Sequence, residues 1–414
     1  MTSQLLLILT LIFGITPNLG FFSFSSFFLM TAFGILAWII LRNKLRIKEN
    51  SYLLQWGILF ILLISAYYYG GYYQSPLTLL IGQIVFFSFC IYIFTRIYQK
   101  NGVSSSVCLI IFIVLSLLTI YGSPNPTVDS FVILKEAPQK LMQGLNPYNS
   151  LYSRVYKNIE PNYFNYLPFS IIYNLPFVLL FGDPRFGIVA AMIGTYWLIN
   201  KLQKKNCTQK YLYSSLFLFA PRSFYMIEHA YLDTVIFFLF VLAYFFAERK
   251  QNTLFAVILS CFFLLKQNIL ILFPLFLKAI TRKREFILLF IIPFSLLLIF
   301  FCWDPAAFIK MTIGGYQFSE KFLMISPTEV KIVVPNFLFQ LFHFSVSQMK
   351  IVYSCCAAIA FVMIVIVYFT KKININRKIV LILFFGYFFS YHAFFNSYYL
   401  VLLFLLFDFV LSKE

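Results

Sequence analysis

Long apolar runs separated by short basic segments constrain this chain more than any other feature of its sequence. Runs of roughly 20 apolar residues are long enough to cross the hydrocarbon core of a bilayer as helices. With 61% hydrophobic and 11% charged residues over 414 positions, the chain has more apolar surface than a soluble fold can bury. The sequence therefore predicts an all-α polytopic membrane protein.

The basic residues lie mostly between the apolar runs, and they give the chain a formal net charge of +18. Such clusters mark the cytoplasmic ends of membrane helices, so we attribute the charge to membrane orientation and expect no nucleic-acid partner. Alternation across the membrane predicts about 14 transmembrane helices, within a range of roughly 12–14, in a single membrane domain over residues 1–414. The predicted spans include residues 4–16, 20–41, 52–69, 76–95, 105–122, 185–200, 211–226, 232–247, 286–303, 350–370, 378–391 and 395–411.

Two polar regions, residues 123–183 and 304–349, are predicted extracytoplasmic loops. Residues 123–166 are too polar and too often interrupted by proline to cross a bilayer. The following stretch, 167–182, is apolar but contains Pro168 and Pro176, and counting it as a span would move the next lysine cluster to the outer side. We interpret this stretch as a juxtamembrane or re-entrant helix.

Residues 252–277 form a second irregular region. They lie between two basic clusters on the cytoplasmic side, yet they are too few for two ordinary spans. Two short helices that meet at Lys266, Gln267 and Asn268 satisfy both conditions. Irregular backbone at membrane depth is tolerated where it lines a polar cavity, and a cation there needs a partner. Lys266 is therefore a candidate functional residue.

The predicted alternation collects a set of ionisable residues on the outer side, although they are far apart in sequence: Asp129, Glu136, Glu228, His229, Asp233, Lys266 and His392. Asp129 follows a span and starts an amphipathic segment that Pro138 is expected to kink or end. It can act as a general base or cap a helix. Glu136, seven residues on, would share the helical face of Asp129 as a supporting acid.

The cations of the outer side suit an anionic group. Arg222 can clamp a phosphate through two N–H groups, Lys266 adds a second charge, and His229 can bind phosphate or shuttle a proton. The alternative is that each of them anchors the chain at the membrane interface. The tyrosines of residues 123–166 and the aromatic residues around His392 can contact sugars or form an interfacial girdle. The seven cysteines show no spacing typical of a metal site, so we predict none.

Three segments together resemble integral-membrane GT-C glycosyltransferases. Asp129 directly after a span, followed by GLNPYN at residues 144–149 and NYLP at 165–168, is similar to the first outer loop of that superfamily. The polyprenol-phosphate-mannose-dependent mannosyltransferases of the bacterial lipoglycan type come closest, with GPI mannosyltransferases more distant. HAYLD at 229–233 resembles a further loop of the family, and Lys266 with Gln267 matches its lysine between short helices. The resemblance covers about residues 105–300.

The resemblance implies transfer of a hexose, with mannose as the expected sugar, from a polyprenyl phosphate to a lipid-linked or surface glycan. It implies inversion at the anomeric carbon, Asp129 as general base, and no separate cofactor. Arg222, His229, Lys266 and Gln267 would bind the donor phosphate, and Asn146, Tyr148, Tyr166, Asp233 and His392 would contact the acceptor or the sugar.

The partners expected from this function are the polyprenyl-phosphate sugar, a glycan or glycolipid acceptor, and membrane lipid. The expected location is the bacterial plasma membrane, with the active site on the extracytoplasmic face. A polysaccharide polymerase or ligase is an alternative within glycan enzymology. A lipid-linked glycan flippase or other transporter is the alternative from another class, and it should show charged residues deep within several spans.

Overall fold

A computed structural model describes residues 3–42, 51–155, 164–203, 209–278, 280, 282–313, 331–371, 373–390 and 393–411. Over these ranges the chain is helical and contains no β-strand, which confirms the predicted all-α class. The contacts divide the chain into two compact units. One is formed by Met1–Ile64 with Phe318–Glu414, and the other by Ser65–Gln317.

The helices follow one another closely along the chain. In order they are α1 (Ser3–Ile15), α2 (Phe24–Arg42), α3 (Ser51–Tyr67), α4 (Pro76–Tyr98), α5 (Ser105–Gly122), α6 (Asp129–Met142), α7 (Phe169–Phe181), α8 (Arg185–Leu202), α9 (Lys210–Ser215), α10 (Ser223–Glu228), α11 (Asp233–Glu248), α12 (Asn252–Phe263), α13 (Phe273–Leu277), α14 (Lys283–Trp303), α15 (Pro305–Thr312), α16 (Val334–Phe342), α17 (Val346–Phe369), α18 (Ile375–Phe388) and α19 (Phe395–Leu411). Short 3₁₀ helices lie at Pro147–Asn149 and Gln267–Leu272.

Among the described residues, five helices are long and apolar enough to cross a membrane, namely α2, α4, α5, α14 and α17. A sixth span results if α7 and α8, which meet at an angle of 111°, count together as one. Several other apolar helices, α1 and α19 among them, are shorter. The membrane class is thus supported, while the count of about 14 spans and the sidedness of the loops stay predictions.

The predicted span at 211–226 is wrong as a single helix. The chain forms α9 and α10, two helices of six residues each, with turns between them. Pro221 lacks the amide hydrogen that a continuing helix needs, and Arg222 adopts a left-handed conformation with φ of 69°. Because of this break, α10 is a separate short helix. Residues 229–232 form the junction between α10 and α11.

The other irregular regions fit the sequence more closely. The break expected at Lys266 is confirmed, because α12 ends at Phe263 and Lys266 is extended before the 3₁₀ helix. At Pro138, where the sequence predicts a kink or an end, α6 does not end but continues to Met142. Phe131, Leu134 and Pro138 are buried on one side of α6, and this packing outweighs the hydrogen bond that proline removes.

In the unit formed by the two ends of the chain, a buried acid joins three helices. Asp408 on α19 accepts from Arg377 Nε at 3.1 Å and from Gln4 Nε2 at 3.1 Å. Asn374, the N-cap of α18, donates to it at 3.4 Å. An acid in an apolar helix is tolerated when it is paired in this way.

Candidate functional site

Asp129 is the first residue of α6 and lies shortly after the end of α5. The chain is fixed on both sides of it: Tyr73 Oη donates to Thr127 O at 2.9 Å, and Ser130 Oγ donates to His229 O at 2.6 Å. Val128 occupies the N-cap position, while Asp129 Oδ1 accepts from Ser130 N in the first turn at 2.7 Å, so the helix-end role stays open beside that of a base. The side chain stays half-exposed. The structure thus brings the junction at His229 next to Asp129, as the predicted grouping requires.

Arg185 at the start of α8 stabilises the same region, and no motif or charge pattern in the sequence singles it out. Its Nη2 pairs with Asp183 Oδ2 at 2.6 Å, and its Nη1 donates to Ser123 O at 2.7 Å. The guanidinium lies 4.9 Å from the ring centre of Phe131. A fully buried arginine is tolerated only with such partners. Arg185 thereby joins the end of α5, the start of α6 and the corner between α7 and α8.

Glu228 at the end of α10 is held by residues 68–75, which we call the aromatic loop. Tyr72 N donates to Glu228 Oε2 at 2.7 Å, and Tyr73 N donates to Oε1 at 3.1 Å. Gly71 leaves room for this approach, because a Cβ at that position would overlap the carboxylate. Burial raises the pKa of Glu228, and the two amides and the charge of Arg185 oppose that rise. The carboxylate therefore acts as a clamp on the loop.

His229 follows Glu228 and is buried among tyrosines. Its ring centre lies 3.9 Å from that of Tyr225 and 5.4 Å from that of Tyr231. Burial lowers the pKa of His229 to about 3, although Nδ1 lies 3.1 Å from Tyr225 O and 3.4 Å from Glu228 Oε2. The contact with Glu228 is long, and that carboxylate is already engaged by the loop amides. Desolvation therefore dominates.

This neutral state bears on the role predicted for His229, phosphate binding or proton transfer, which stays a prediction. At neutral pH the ring carries no positive charge to offer a donor phosphate. When Nδ1–H donates to Tyr225 O, the other ring nitrogen, Nε2, is an acceptor. His229 is then suited to accept a hydrogen bond from a hydroxyl group.

Lys266 and Asp233 form the charged part of the site. Lys266 Nζ lies 3.3 Å from Asp233 Oδ2, and Asp233, the first residue of α11, is fully buried. The ammonium also lies 6.0 Å from the ring centre of Tyr166. A lysine at the break between short helices thus has the partner that a cation in an apolar environment needs. Asp233, predicted to contact sugar or acceptor, is placed as the counter-ion of Lys266.

Arg222, another of the four predicted phosphate ligands, lies against the aromatic loop. Its guanidinium is 4.6 Å from the ring centre of Tyr68, and the residue is half-buried. A non-glycine residue with positive φ is uncommon and is maintained by its surroundings. Arg222 therefore borders the aromatic part of the site, whereas Lys266 belongs to the charged part.

The GLNPYN segment forms a scaffold. Tyr148 is fully buried, donates from its hydroxyl to Tyr166 O at 2.9 Å, and packs against Phe164 and Phe308. Asn146 Oδ1 accepts from Tyr148 N at 2.9 Å and closes the turn. These contacts favour a structural role over direct sugar contact for both residues.

Two further predicted residues also brace loops. Glu136 Oε2 accepts from Ser153 N at 3.1 Å. Two helical turns separate it from Asp129. Gln267 Nε2 donates to Asn165 O and Thr312 O at 2.9 and 3.1 Å, so its amide nitrogen holds backbone rather than a phosphate. His392 lies outside the described residues.

Charge interactions relate Asp129, Tyr231 and Tyr166. Burial raises the pKa of Tyr231, and the charge of Asp129 and the phenol of Tyr166 add to that rise. Tyr166 in turn lies under Lys266. The site thus joins a half-exposed carboxylate to a paired ammonium, with aromatic residues between them.

Comparison with family models, with curated proteins and with solved structures finds no match for this chain. In the described parts of the sequence, no group of three or more His, Cys, Asp or Glu side chains could hold a metal ion. What the site does must therefore be argued from its residues.

Proposed function

We propose that this chain is a GT-C-type glycosyltransferase that moves a hexose, with mannose the expected sugar, from a polyprenyl phosphate to a lipid-linked or surface glycan. The observation that carries the proposal is the difference between the three acids of the site. Glu228 and Asp233 are fully buried and engaged by loop amides and by Lys266, while Asp129 keeps accessible surface. A general base must be reachable by the proton it removes.

The proposed reaction uses Asp129 and Lys266. An acceptor hydroxyl oxygen attacks the anomeric carbon, the bond from that carbon to the phosphate oxygen breaks, and its electron pair leaves with the polyprenyl phosphate. Asp129 takes the hydroxyl proton. The leaving phosphate gains negative charge, which a nearby ammonium stabilises, and Lys266 has this role. Attack opposite to the leaving group inverts the anomeric configuration.

One observation favours the enzyme over a flippase. A transporter is expected to use ionisable groups deep within several spans. Asp408, an acid inside an apolar helix, is held by Arg377 and Gln4, an arrangement that stabilises helix packing. The remaining acids of interest lie at helix ends and junctions. The proposed active site faces the extracytoplasmic side of a bacterial plasma membrane.

The test is a transfer assay with radiolabelled polyprenyl-phosphate hexoses and membranes that supply the glycan acceptor. Asp129→Asn should abolish formation of the new glycosidic bond, because an amide cannot take the proton. The matched control is Asp304→Asn, since Asp304 caps α15 and asparagine is an equally good N-cap. The control should keep wild-type activity.

Two results would contradict the proposal. Full transfer activity of a folded Asp129→Asn protein would show that Asp129 is not the general base. Movement of the labelled donor across the membrane without a new glycosidic bond, in the wild-type protein, would identify a flippase instead.

A further inference from the structure

Two tyrosine rings of the aromatic loop are exposed on the protein surface close to Asp129. Tyr72 is 61% exposed and Tyr73 is 37% exposed. The Tyr73 hydroxyl is bonded to Thr127 O, two residues before Asp129. The rings of Tyr72 and Tyr73 also contact His229, with ring centres 6.2 and 5.7 Å from it. These exposed rings therefore border the group proposed to remove the acceptor proton.

The loop is held more firmly than a membrane-interface anchor requires. Two successive amides, those of Tyr72 and Tyr73, are fixed by the buried carboxylate of Glu228, and Gly71 is needed for that approach. Burying a carboxylate carries a large desolvation penalty. By contrast, Tyr121 at the end of α5 is 72% exposed, as expected of an interfacial tyrosine. The clamp indicates that the position of the Tyr72 and Tyr73 rings matters.

The charges around the Tyr72 and Tyr73 rings indicate whether a ligand there is cationic, anionic or neutral. Arg222 lies over Tyr68 in the same loop, which disfavours a cationic ligand in an aromatic cage. The carboxylates of Glu228 and Asp129 disfavour an anionic one. The neighbouring His229 is neutral and adds no charge. A neutral ligand with hydroxyl groups and an apolar face matches this combination, and a hexopyranose ring has both.

We infer that the aromatic loop is a carbohydrate subsite for the acceptor. The Tyr72 ring stacks on the C–H face of an acceptor hexopyranose. This places a neighbouring acceptor hydroxyl at Asp129. The assignment of the sugar as an acceptor rests on the proposed function, whereas the binding of a sugar at this loop does not.

The binding test uses the full chain in nanodiscs, without donor, and three soluble probes: α-1,2-mannobiose, maltose and chitobiose. Titration followed by saturation-transfer NMR should show binding of at least one probe. Tyr72→Ala should weaken that binding roughly tenfold, the loss that an aromatic pair energy implies, while Tyr72→Phe should keep it. Tyr121→Ala is the matched control and should bind like the wild-type protein.

The kinetic test separates the acceptor from the donor. In the transfer assay, Tyr72→Ala should raise KM for the acceptor by about tenfold and leave KM for the donor unchanged. A general folding defect would instead lower the maximal rate and leave both KM values unchanged.

The inference is overturned if no probe binds the wild-type protein, or if Tyr72→Ala binds the probes as the wild-type protein does. Either result leaves the catalytic role of Asp129 to be judged by the Asp129→Asn assay alone. Conversely, sugar binding that depends on Tyr72 in a protein without transferase activity would uphold the subsite and reject the proposed reaction.

Discussion

The neutral state of His229 predicts a defined pH dependence of stability, tested by the substitution His229→Gln. The folded protein protonates His229 only near a pKa of about 3, because the ring is buried, whereas the unfolded chain has the ordinary value near 6.5. Between these values the unfolded state binds more protons, so the free energy of unfolding falls as the pH falls. Stability from this group is present above about pH 6.5 and is lost on acidification.

The magnitude follows from the two pKa values. Lowering the pH from 7 to 5 removes about 2 kcal/mol of unfolding free energy through His229 alone. Glutamine can donate to Tyr225 O as the imidazole does, but it has no proton to gain in this range. The free energy of unfolding of His229→Gln should therefore not show this decrease between pH 7 and pH 5.

Equilibrium unfolding in mixed micelles at pH 7 and pH 5 measures the effect. Glu228 lies next to His229, and its raised pKa works in the opposite direction, since its folded form binds protons more readily. Glu228 is present in both proteins, so the difference between the wild-type protein and His229→Gln isolates the histidine. His343→Gln, at an exposed histidine, is the control and should keep the wild-type slope. Equal losses in the wild-type protein and His229→Gln would refute the reasoning.

Two further substitutions test the clamp and the ion pair. Gly71→Ala should displace the aromatic loop from Glu228 and raise the acceptor KM more than the donor KM; an unchanged acceptor KM would show that the loop position does not matter for the acceptor. Lys266→Met should lower the free energy of unfolding by about 3–5 kcal/mol, because the buried carboxylate of Asp233 loses its cation. The double variant Lys266→Met/Asp233→Asn should regain most of the lost free energy of unfolding, measured by denaturant unfolding. If the double variant is no more stable than Lys266→Met, the two side chains are not energetically coupled.

The sequence predicted those features that follow from bilayer physics. Charge alternation and the short length of residues 252–277 located the break at Lys266, and the structure has it there. The same reasoning placed Asp129 at the start of α6. It grouped Asp129 with His229, which lies far away in sequence but is joined to it through Ser130.

The features that the sequence did not reveal depend on side-chain pairing. Arg185 and Glu228 are buried charges, and their partners are a nearby acid and backbone amides, which no periodicity shows. The run of tyrosines around Gly70 and Gly71 resembles an ordinary interfacial belt in sequence. The two adjacent glycines were the one available signal, because glycine permits close approach of another group. The break in 211–226 was missed because apolar composition hid the effect of Pro221.

The two halves of the site differ in charge, and the proposed reaction assigns a different substrate to each. One half contains Lys266 and Asp233, and it suits a donor whose phosphate gains charge during the reaction. The other half contains the aromatic loop and a neutral His229, and it suits an uncharged acceptor. Asp129 is related to both halves: the neighbouring Ser130 donates to His229 O, and the charge of Asp129 acts on Tyr231. In the proposed reaction, the base takes a proton from the neutral acceptor while an anionic group departs. The base must therefore lie between the two halves of the site. For this reason Asp129, and neither buried acid, is assigned that role.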